Sequence, residues 1–278
     1  MKRVYLLAYP AGHSVSPAMQ NAAFAERGLD VRYEALEVPP AELPEVVARF
    51  RGNEVLGANV TIPHKLAVMP LLDELTAAAQ AIGAVNTIVN RDGYLVGHNT
   101  DADGFSRALA DLASDPSGRT ALLLGAGGAA RAVAFALLSS GVARLDIYNR
   151  TQERARALAG DFQALGWIEV VTSEELPDSV SSADLLVNST SVGMEQGGVT
   201  EDISPLPVGV VPSGVVVDLV YRPPETRLLR EARVAGCLTQ NGLPMLIYQG
   251  AEAFKLWTSQ SAPVEVMFRA ARDQLVPR

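Results

Sequence analysis

The sequence has a single cysteine, little positive charge and no long uninterrupted apolar run. Because Cys237 has no second cysteine to join, an internal disulfide and a cysteine metal cluster are both excluded. The longest apolar stretch, residues 208–221, is broken by glycine, proline and aspartate, so no segment is predicted to span a bilayer. The first residues lack the apolar length and the cleavage pattern of a secretory signal. We therefore expect a reducing compartment, the cytoplasm.

The scarcity of positive charge restricts the partners of the chain. There are 23 lysines and arginines against 31 aspartates and glutamates, which gives a net charge of −8. Such a chain repels phosphate backbones and anionic lipids, so neither nucleic acid nor a membrane is expected as a partner. A site for an anionic ligand must be a local exception, and Arg150, Arg154 and Arg156 form one. No metal site is predicted, because the three histidines lack close ligand spacing. These histidines are His13, His64 and His98.

Strand-like and helix-like runs alternate along most of the chain. Its 278 residues, 48% hydrophobic and 19% charged, predict roughly two globular domains. The first part contains Asp92-Gly93, a hairpin signal that indicates an antiparallel strand pair. After Asp101 the alternation becomes regular, which is typical of a parallel sheet with helical crossovers. We predict two α/β lobes with a cleft between them, the first built on a mixed sheet, joined by a helix rather than by a flexible linker.

Apolar runs and the proline, glycine and serine residues around them predict the individual elements. The predicted strands cover residues 3–9, 32–36, 56–62, 85–89, 94–98, 120–124, 144–148, 168–172, 184–188 and 215–219. The predicted helices cover residues 16–27, 41–51, 66–80 (two short helices broken at Pro70), 102–113, 129–140, 151–162, 243–257 and 264–275. Ser16 is expected to cap the first helix, with Pro17 at its first position.

A glycine-rich turn follows the strand predicted at 120–124 and opens the next helix. It has the Gly-x-Gly-x-x-Ala form, in which the first glycine makes the turn and the second admits a pyrophosphate to the backbone. The helix N-terminus adds free N–H groups and the positive end of its dipole. An ordinary glycine turn is the alternative, disfavoured by this strand and helix context. The candidate cofactor contacts are Gly125, Ala126, Gly127, Gly128 and Ala129.

The following strand predicts which dinucleotide is bound. An NAD-binding fold places an acid at the end of its second strand, where it bonds the ribose 2′-hydroxyl. Here Asp146 lies too early for that role, and the strand is followed by Asn149, Arg150, Thr151 and Arg154. Arginine forks match the oxygens of a 2′-phosphate, so NADP(H) is predicted as the cofactor. The alternative is that Thr151 caps a helix and the arginines only face solvent.

Polar side chains of the first lobe follow its strands, where open α/β sheets bind ligands. Hydride transfer to a ketone leaves negative charge on oxygen, so a donor is needed there. The Lys65 ammonium can supply that proton, and Asp101 can orient it. Taken alone, Lys65 could be a solvated lysine and Asp101 a helix cap. The polar residues of this set are Ser14, Ser16, Asn59, Thr61, His64, Lys65, Asn86, Asn99, Thr100 and Asp101.

Taken together and in order, these motifs resemble the shikimate dehydrogenase family over essentially the whole chain. The resemblance implies NADPH-dependent reduction of 3-dehydroshikimate to shikimate, in aromatic amino-acid biosynthesis. It implies that residues 1–101, completed by helices in 241–278, form a substrate-binding and catalytic domain. It implies that residues 102–240 form a Rossmann-type NADP-binding domain. The matching segments are residues 12–17, 59–65, 83–87, 97–101, 125–131, 149–151, 188–191 and 218–221, with Gln249.

The resemblance also implies individual roles. Lys65 and Asp101 would form the catalytic pair, and both would contact the substrate. The implied substrate contacts beyond this pair are Ser14, Ser16, Thr61, Asn86, Tyr221 and Gln249. Leu219, Gly242 and Met245 would line the nicotinamide pocket, and Thr190 would be a further cofactor contact. The sequence departs from close relatives at Ala8, Gln20 and Ala77, none of which is a catalytic position.

Two other functions remain open at this point. The first is a quinate/shikimate dehydrogenase of broader specificity, or one that uses NAD. The second is an NADP-binding regulatory protein without catalysis, which the presence of Lys65 and Asp101 disfavours. A homodimer is compatible with the sequence, which does not fix the oligomeric state.

Overall fold

The computed structural model describes residues 1–12, 14–195 and 202–275. The chain divides into two compact units: a first unit of Met1–Gly104 with Leu246–Arg278, and a second unit of Phe105–Met245. Both divisions fall inside helices, so no loop marks them. The domain boundaries predicted after residues 101 and 240 lie a few residues before the observed divisions after Gly104 and Met245. Because a helix continues through each division, the sequence has no linker there to mark the boundary.

Strands and helices alternate through both units. The strands are β1 Lys2–Ala8, β2 Val31–Glu37, β3 Val55–Val60, β4 Glu74–Leu75, β5 Thr87–Arg91, β6 Tyr94–His98, β7 Thr120–Leu124, β8 Arg144–Tyr148, β9 Ile168–Val171, β10 Leu185–Asn188, β11 Val215–Asp218 and β12 Leu238–Asn241. The helices are α1 Ser16–Glu26, α2 Leu43–Arg49, α3 Ala77–Ile82, α4 Asp101–Asp111, α5 Gly128–Ser139, α6 Gln152–Phe162, α7 Leu176–Ser182, α8 Arg227–Val234, α9 Leu243–Thr258 and α10 Val264–Leu275. None of the described helices is both long and apolar enough to cross a bilayer.

The first unit contains a mixed sheet in the order β2-β1-β3-β5-β6-β4. Strand β5 is antiparallel to both of its neighbours, whereas the other pairs are parallel. The β5–β6 hairpin turns at Asp92 and Gly93, which both have positive φ, as the predicted turn requires. One face of the sheet packs on a core that includes Leu7, Phe50 and Ile88. Helix α10 packs against α1, and this unit includes α10 and the part of α9 from Leu246 onward.

The second unit contains a parallel sheet in the order β12-β11-β10-β7-β8-β9. Counted from β7, this is the 3-2-1-4-5-6 order of dinucleotide-binding folds. The central strands β7 and β10 are apolar and buried, because helices cover both faces of such a sheet. The order reverses between β7 and β10, and ligands of open α/β sheets bind at such a point. The fold class predicted from the sequence is therefore observed.

Two local predictions are wrong, and three elements were not predicted. Residues 66–80 do not form two helices: a 3-10 turn at Met69–Leu71 and the short strand β4 precede α3. Strand β4 forms because this segment completes the sheet edge beside β6. Ser16 does not cap α1 but lies in its first turn, and its N–H donates to the Ser14 hydroxyl, 3.2 Å away. Helices α7 and α8 and strand β12 were not predicted.

Candidate active site

The polar residues of the first unit meet at one edge of its sheet. Strands β1, β3 and β6 run parallel, so they end at the same edge, and the antiparallel strand β5 begins there. This topology brings Asn86, at the start of β5, beside the residues that follow β3 and β6. We call this edge, with the segments that follow its strands, the catalytic edge.

Lys65 and Asp101 form a buried ion pair at the catalytic edge. The Lys65 Nζ atom lies 2.5 Å from Asp101 Oδ2, and the two side chains are 12% and 7% exposed. The Lys65 carbonyl accepts a hydrogen bond from Val85 N–H, which fixes the backbone of the lysine beside β5. The alternative that Asp101 only caps α4 is not what the structure shows. Asn99 Oδ1 instead accepts from the N–H groups of Asp101 and Ala102, which leaves the Asp101 carboxylate to the lysine.

Asn86 connects this ion pair to the C-terminal helices. Its Nδ2 lies 2.8 Å from Asp101 Oδ1 and 3.3 Å from Gln249 Oε1 on α9. Its Oδ1 accepts from Thr100 N–H at 2.7 Å, which fixes the orientation of the amide because a backbone N–H can only donate. Four of the predicted site residues are therefore joined in one buried group. They are Lys65, Asp101, Asn86 and Gln249.

The remaining predicted site residues of the first unit follow β1 and β3. Ser14 is half-buried and joined to Ser16 through the Ser16 N–H. Ser16 is only 4% exposed and lies beside the phenol of Tyr33. Thr61 is held by its N–H, which donates to the Leu7 carbonyl. These hydroxyls do not contact Lys65 or Asp101 directly, and Tyr33 was not predicted from the sequence.

The histidines near the motifs take separate positions. His64 is buried, and its Nε2 lies 2.8 Å from the Val38 carbonyl oxygen. His98 is partly buried on β6, and this burial lowers its pKa. His13 lies outside the described residues. Within the described ranges, no group of three or more His, Cys, Asp or Glu side chains could hold a metal ion.

The glycine turn of the second unit leads from β7 into α5. Gly125 has φ +110°, and a Cβ there would lie 2.5 Å from the Ser189 hydroxyl. Gly127 occupies the N-cap position of α5, where a Cβ would meet no described atom within 4 Å. The backbone at the N-terminus of α5 is therefore open beside Gly127. This opening lies where the strand order of the sheet reverses, between β7 and β10. This open cradle fits the pyrophosphate of a dinucleotide.

The segment after β8 carries exposed arginines. Arg150 and Arg154 are exposed, and no described acid pairs with either of them. Thr151 occupies the N-cap position of α6, but its hydroxyl makes no capping bond to the described backbone. Arg156, by contrast, lies 3.8 Å from Glu153. Two unpaired cations after the second strand fit a 2′-phosphate.

The only acid within β8 is not available to a ribose. Asp146 is 1% exposed and lies 2.8 Å from the Arg144 guanidinium. Burial raises the pKa of its carboxyl group. The structure therefore places this acid in the interior of the unit, as its early position in the strand predicted.

A buried carboxylate, Asp218, organises the ends of β10 and β11. Asn188 Nδ2, Val220 N–H and the Thr226 hydroxyl all donate to it, at 2.9, 3.0 and 2.6 Å. These donors favour the ionised form, but burial outweighs them and raises the pKa of Asp218 to about 6. The Thr190 hydroxyl donates to Asn188 Oδ1 at 2.7 Å. This group fixes the segment that carries the predicted nicotinamide contacts.

The other candidate contacts of the second unit lie close to this group. A Cβ on Gly242 would lie 1.9 Å from the Leu219 carbonyl oxygen, so only glycine allows this packing. Met245 is 8% exposed and Tyr221 is half-buried. Whether Tyr221 contacts the same substrate as the residues of the first unit stays a prediction.

Comparisons with known proteins follow the same division of the chain. Residues 6–88 match the family described as shikimate dehydrogenase substrate binding domain. Residues 108–195 match the family described as shikimate / quinate 5-dehydrogenase. Residues 242–272 match the family described as shikimate 5'-dehydrogenase C-terminal domain.

Individual relatives match over nearly the full length. The chain is 50% identical over 272 residues to a shikimate dehydrogenase (NADP(+)) from Symbiobacterium thermophilum, covering 96% of this chain and 92% of that protein. The structure of shikimate 5-dehydrogenase from Thermus thermophilus in complex with NADP(H) and shikimate matches with a TM-score of 0.88 and 44% identity, covering 99% of this chain and 100% of that one. Quinate dehydrogenase from Corynebacterium glutamicum in complex with NAD matches with a TM-score of 0.86 and 31% identity, covering 98% and 99%. The chain thus belongs to the shikimate dehydrogenase family of oxidoreductases, which confirms the family predicted from its sequence.

Proposed function

We propose that this protein catalyses the reversible, NADP(H)-dependent reduction of 3-dehydroshikimate to shikimate. The observation that carries the proposal is the buried Lys65–Asp101 pair, 2.5 Å apart at the catalytic edge. A non-catalytic nucleotide-binding protein has no need to bury an ion pair among further polar groups, because burying charges is costly. The relatives named above support the same substrate and cofactor.

The two units supply different parts of this chemistry. NADPH, when bound, supplies the hydride that reduces the ketone carbon. The Lys65 ammonium donates a proton to the ketone oxygen, and the reverse direction returns that proton to its Nζ atom. Asp101 orients the lysine through their short hydrogen bond. The open glycine turn and the unpaired Arg150 and Arg154 would hold the pyrophosphate and the 2′-phosphate.

The substrate contacts belong to the same proposal. Hydroxyl donors at Ser14, Ser16 and Thr61 suit a carboxylate, in a unit whose catalytic edge has no arginine in contact with the described pair. The ring hydroxyls of the substrate would meet amide and carboxylate groups of the buried cluster around Asn86 and Gln249. Tyr221 completes the proposed substrate contacts. Leu219, Gly242 and Met245 are the proposed nicotinamide contacts, and Thr190 is a further proposed cofactor contact.

The direct test is a substrate panel followed by NADPH absorbance. Shikimate and quinate are each offered with NADP⁺ and with NAD⁺, and 3-dehydroshikimate and 3-dehydroquinate with NADPH and with NADH. We expect the highest kcat/KM for shikimate with NADP⁺ and for 3-dehydroshikimate with NADPH. Turnover of neither acid by the folded protein would overturn the proposal.

A second candidate is a quinate/shikimate dehydrogenase of broader specificity. The match of residues 108–195 to a family that spans both activities favours it. Comparable kcat/KM values for quinate and shikimate in the same panel would establish it. A preference for NAD⁺ would additionally contradict the role given to Arg150 and Arg154.

Three further predictions accompany the proposed function. We infer that residues 1–101 with 241–278 bind the substrate and that residues 102–240 bind NADP(H). The cytoplasmic location stays a prediction, as does the homodimer, which light scattering after size exclusion would test. A monomeric mass at micromolar concentration would contradict the dimer.

A further inference from the structure

The buried phenol of Tyr33 lies behind the catalytic edge and was assigned no role. Tyr33 on β2 is 2% exposed, and its hydroxyl donates to Asn59 Oδ1 at 2.8 Å. Burial raises the pKa of Tyr33, so the phenol keeps its proton and remains a donor. A buried phenolic hydroxyl needs a hydrogen-bond partner, and here that partner is a side-chain amide that leads toward the catalytic edge.

The Tyr33 hydroxyl helps to hold the amide of Asn59. Asn59 Oδ1 accepts from Tyr33, and Asn59 Nδ2 faces the other way and donates to Thr87 Oγ1 at 3.0 Å. The same Nδ2 donates to the Asn86 carbonyl oxygen at 3.2 Å. The Thr87 hydroxyl donates onward to Asn86 Oδ1 at 3.1 Å, and it also lies 3.3 Å from Thr100 Oγ1.

Asn86 is the last member of this chain before the ion pair. Its Oδ1 faces Thr87 and the Thr100 N–H, so its Nδ2 faces Asp101 Oδ1 at 2.8 Å. A reversed amide would point an oxygen lone pair at the carboxylate, which is repulsive in a buried site. Every group in the chain is buried, so water cannot replace a missing donor cheaply.

We propose that Tyr33 is a positioning residue for the Asp101 carboxylate, acting through Asn59, Thr87 and Asn86. The inference rests on the proposed function, since it assigns Asp101 to the reaction. Thr100 N–H also orients Asn86, so the loss of the phenol weakens the arrangement without abolishing it. We therefore expect a three- to tenfold effect on turnover, the scale of about one hydrogen bond.

The test compares Tyr33→Phe with Tyr5→Phe. Tyr5 lies on the neighbouring strand β1, and its ring stacks on Phe50, so the control removes a phenolic hydroxyl from the same sheet but outside the chain of hydrogen bonds. The kcat for shikimate oxidation is divided by the number of NADP⁺-binding sites found by calorimetry. A merely structural role lowers the number of sites or the melting temperature but leaves kcat per site unchanged. We expect kcat per site to fall three- to tenfold in Tyr33→Phe only, with the KM for NADP⁺ unchanged.

A second pair of variants tests the same chain of hydrogen bonds if Tyr33→Phe folds poorly. Thr87→Val keeps the shape but removes the hydroxyl, whereas Thr87→Ser keeps the hydroxyl. The inference predicts a several-fold loss of kcat per site in the valine variant and recovery in the serine variant. Equal kcat per site in wild type and Tyr33→Phe, or in the valine and serine variants, would overturn it while the proposed function stands. An inactive wild type would instead overturn the proposed function and this inference with it.

Discussion

The candidate catalytic groups of the first unit and the candidate phosphate contacts of the second unit are built in opposite ways. At the catalytic edge the groups are buried side chains that bond one another: Asn86 is 2% exposed and Asp101 5%. The candidate phosphate contacts of the second unit are open backbone groups at Gly127 and the exposed side chains of Arg150 and Arg154. The catalytic groups are therefore assembled in advance, whereas the phosphate contacts are open to solvent.

This difference has a physical reason. Groups that stabilise charge during a reaction are most effective when they are fixed and shielded from water, since no reorganisation is needed when the charge develops. A dinucleotide that arrives from solvent instead needs accessible N–H groups and unpaired cations. Substitutions in the buried cluster around Lys65 and Asp101 should therefore change turnover, and substitutions of the exposed arginines should change cofactor affinity.

The largest expected effect is that of Lys65→Ala on turnover. Removing a positioned proton donor costs about 10² or more in kcat. The affinity for substrate should stay roughly intact, because the proposed carboxylate contacts are elsewhere. Steady-state kinetics of shikimate oxidation measure both quantities. Lys255→Ala, on the C-terminal helix α9 of the same unit, is the control. A kcat near that of wild type in Lys65→Ala would exclude the catalytic role.

The next effect is that of Arg150→Ala on cofactor choice. A charge-assisted hydrogen bond to a 2′-phosphate contributes about 1.5–3 kcal/mol, so NADP⁺ should bind roughly 10- to 100-fold more weakly. NAD⁺ lacks this phosphate, so its affinity should hardly change. Arg156→Ala, on the same segment but already paired with Glu153, is the matched control. Equal losses for both cofactors would mean that Arg150 has a structural role only.

A smaller effect is expected for Ser14→Ala on substrate binding. If the hydroxyl contacts the substrate carboxylate equally in the ground and transition states, KM rises and kcat hardly changes. A rise of about tenfold corresponds to one hydrogen bond to a charged group. Ser261→Ala, an exposed serine of the same unit, serves as the control in the same kinetic assay. An unchanged KM for shikimate would remove Ser14 from the site.

The smallest effect concerns the pH dependence of stability through Asp218. Its pKa in the folded protein is about 6, above the ordinary 3.8. As pH rises, the folded state therefore keeps this proton to a higher pH than the unfolded chain does. The contribution of Asp218 to the free energy of unfolding is fully present below the ordinary pKa and is lost as pH rises through about 6. Between about pH 5 and pH 7 the loss is about 1 kcal/mol.

The variant Asp218→Asn isolates this contribution. Its amide can accept from Asn188 and Val220 and donate to the Thr226 hydroxyl, so the neighbours remain bonded. From about pH 5 to pH 7 its free energy of unfolding should gain about 1 kcal/mol relative to wild type, measured by urea denaturation. Asp178→Asn, at an exposed acid on α7, should show no such gain. Parallel pH curves for wild type and Asp218→Asn would contradict the assignment.

The sequence predicts the candidate cofactor contacts of the second unit more directly than the catalytic edge of the first, although it misses α7, α8 and β12 in the second unit. Strands β7 and β8 have the predicted bounds, because each is followed by a residue that favours a turn, Gly125 after β7 and Asn149 after β8. The cofactor contacts there are contiguous, so a single motif reveals them. Helix α8 was missed although Thr226 caps it and Leu228, Leu229 and Ala232 form a buried stripe, a signal that was present in the sequence.

The catalytic edge was less accessible to sequence reasoning. Lys65 and Asp101 are 36 positions apart and meet because they follow β3 and β6, which only strand β5 separates in the sheet. No spacing predicts this contact, and the family resemblance supplied it. Tyr33 gave no signal at all, since an aromatic residue in a strand is typical of an ordinary core position. Its partner Asn59 lies 26 positions away.

Calorimetric titration of NADP⁺ into wild type, Lys65→Ala and Arg150→Ala tests the separation of roles most directly. The account predicts that Lys65→Ala, despite its lost turnover, binds NADP⁺ with the affinity of wild type. It predicts that Arg150→Ala binds NADP⁺ roughly 10- to 100-fold more weakly. Equal weakening of NADP⁺ binding in both variants would contradict the account, because cofactor affinity would then not reside in the second unit alone.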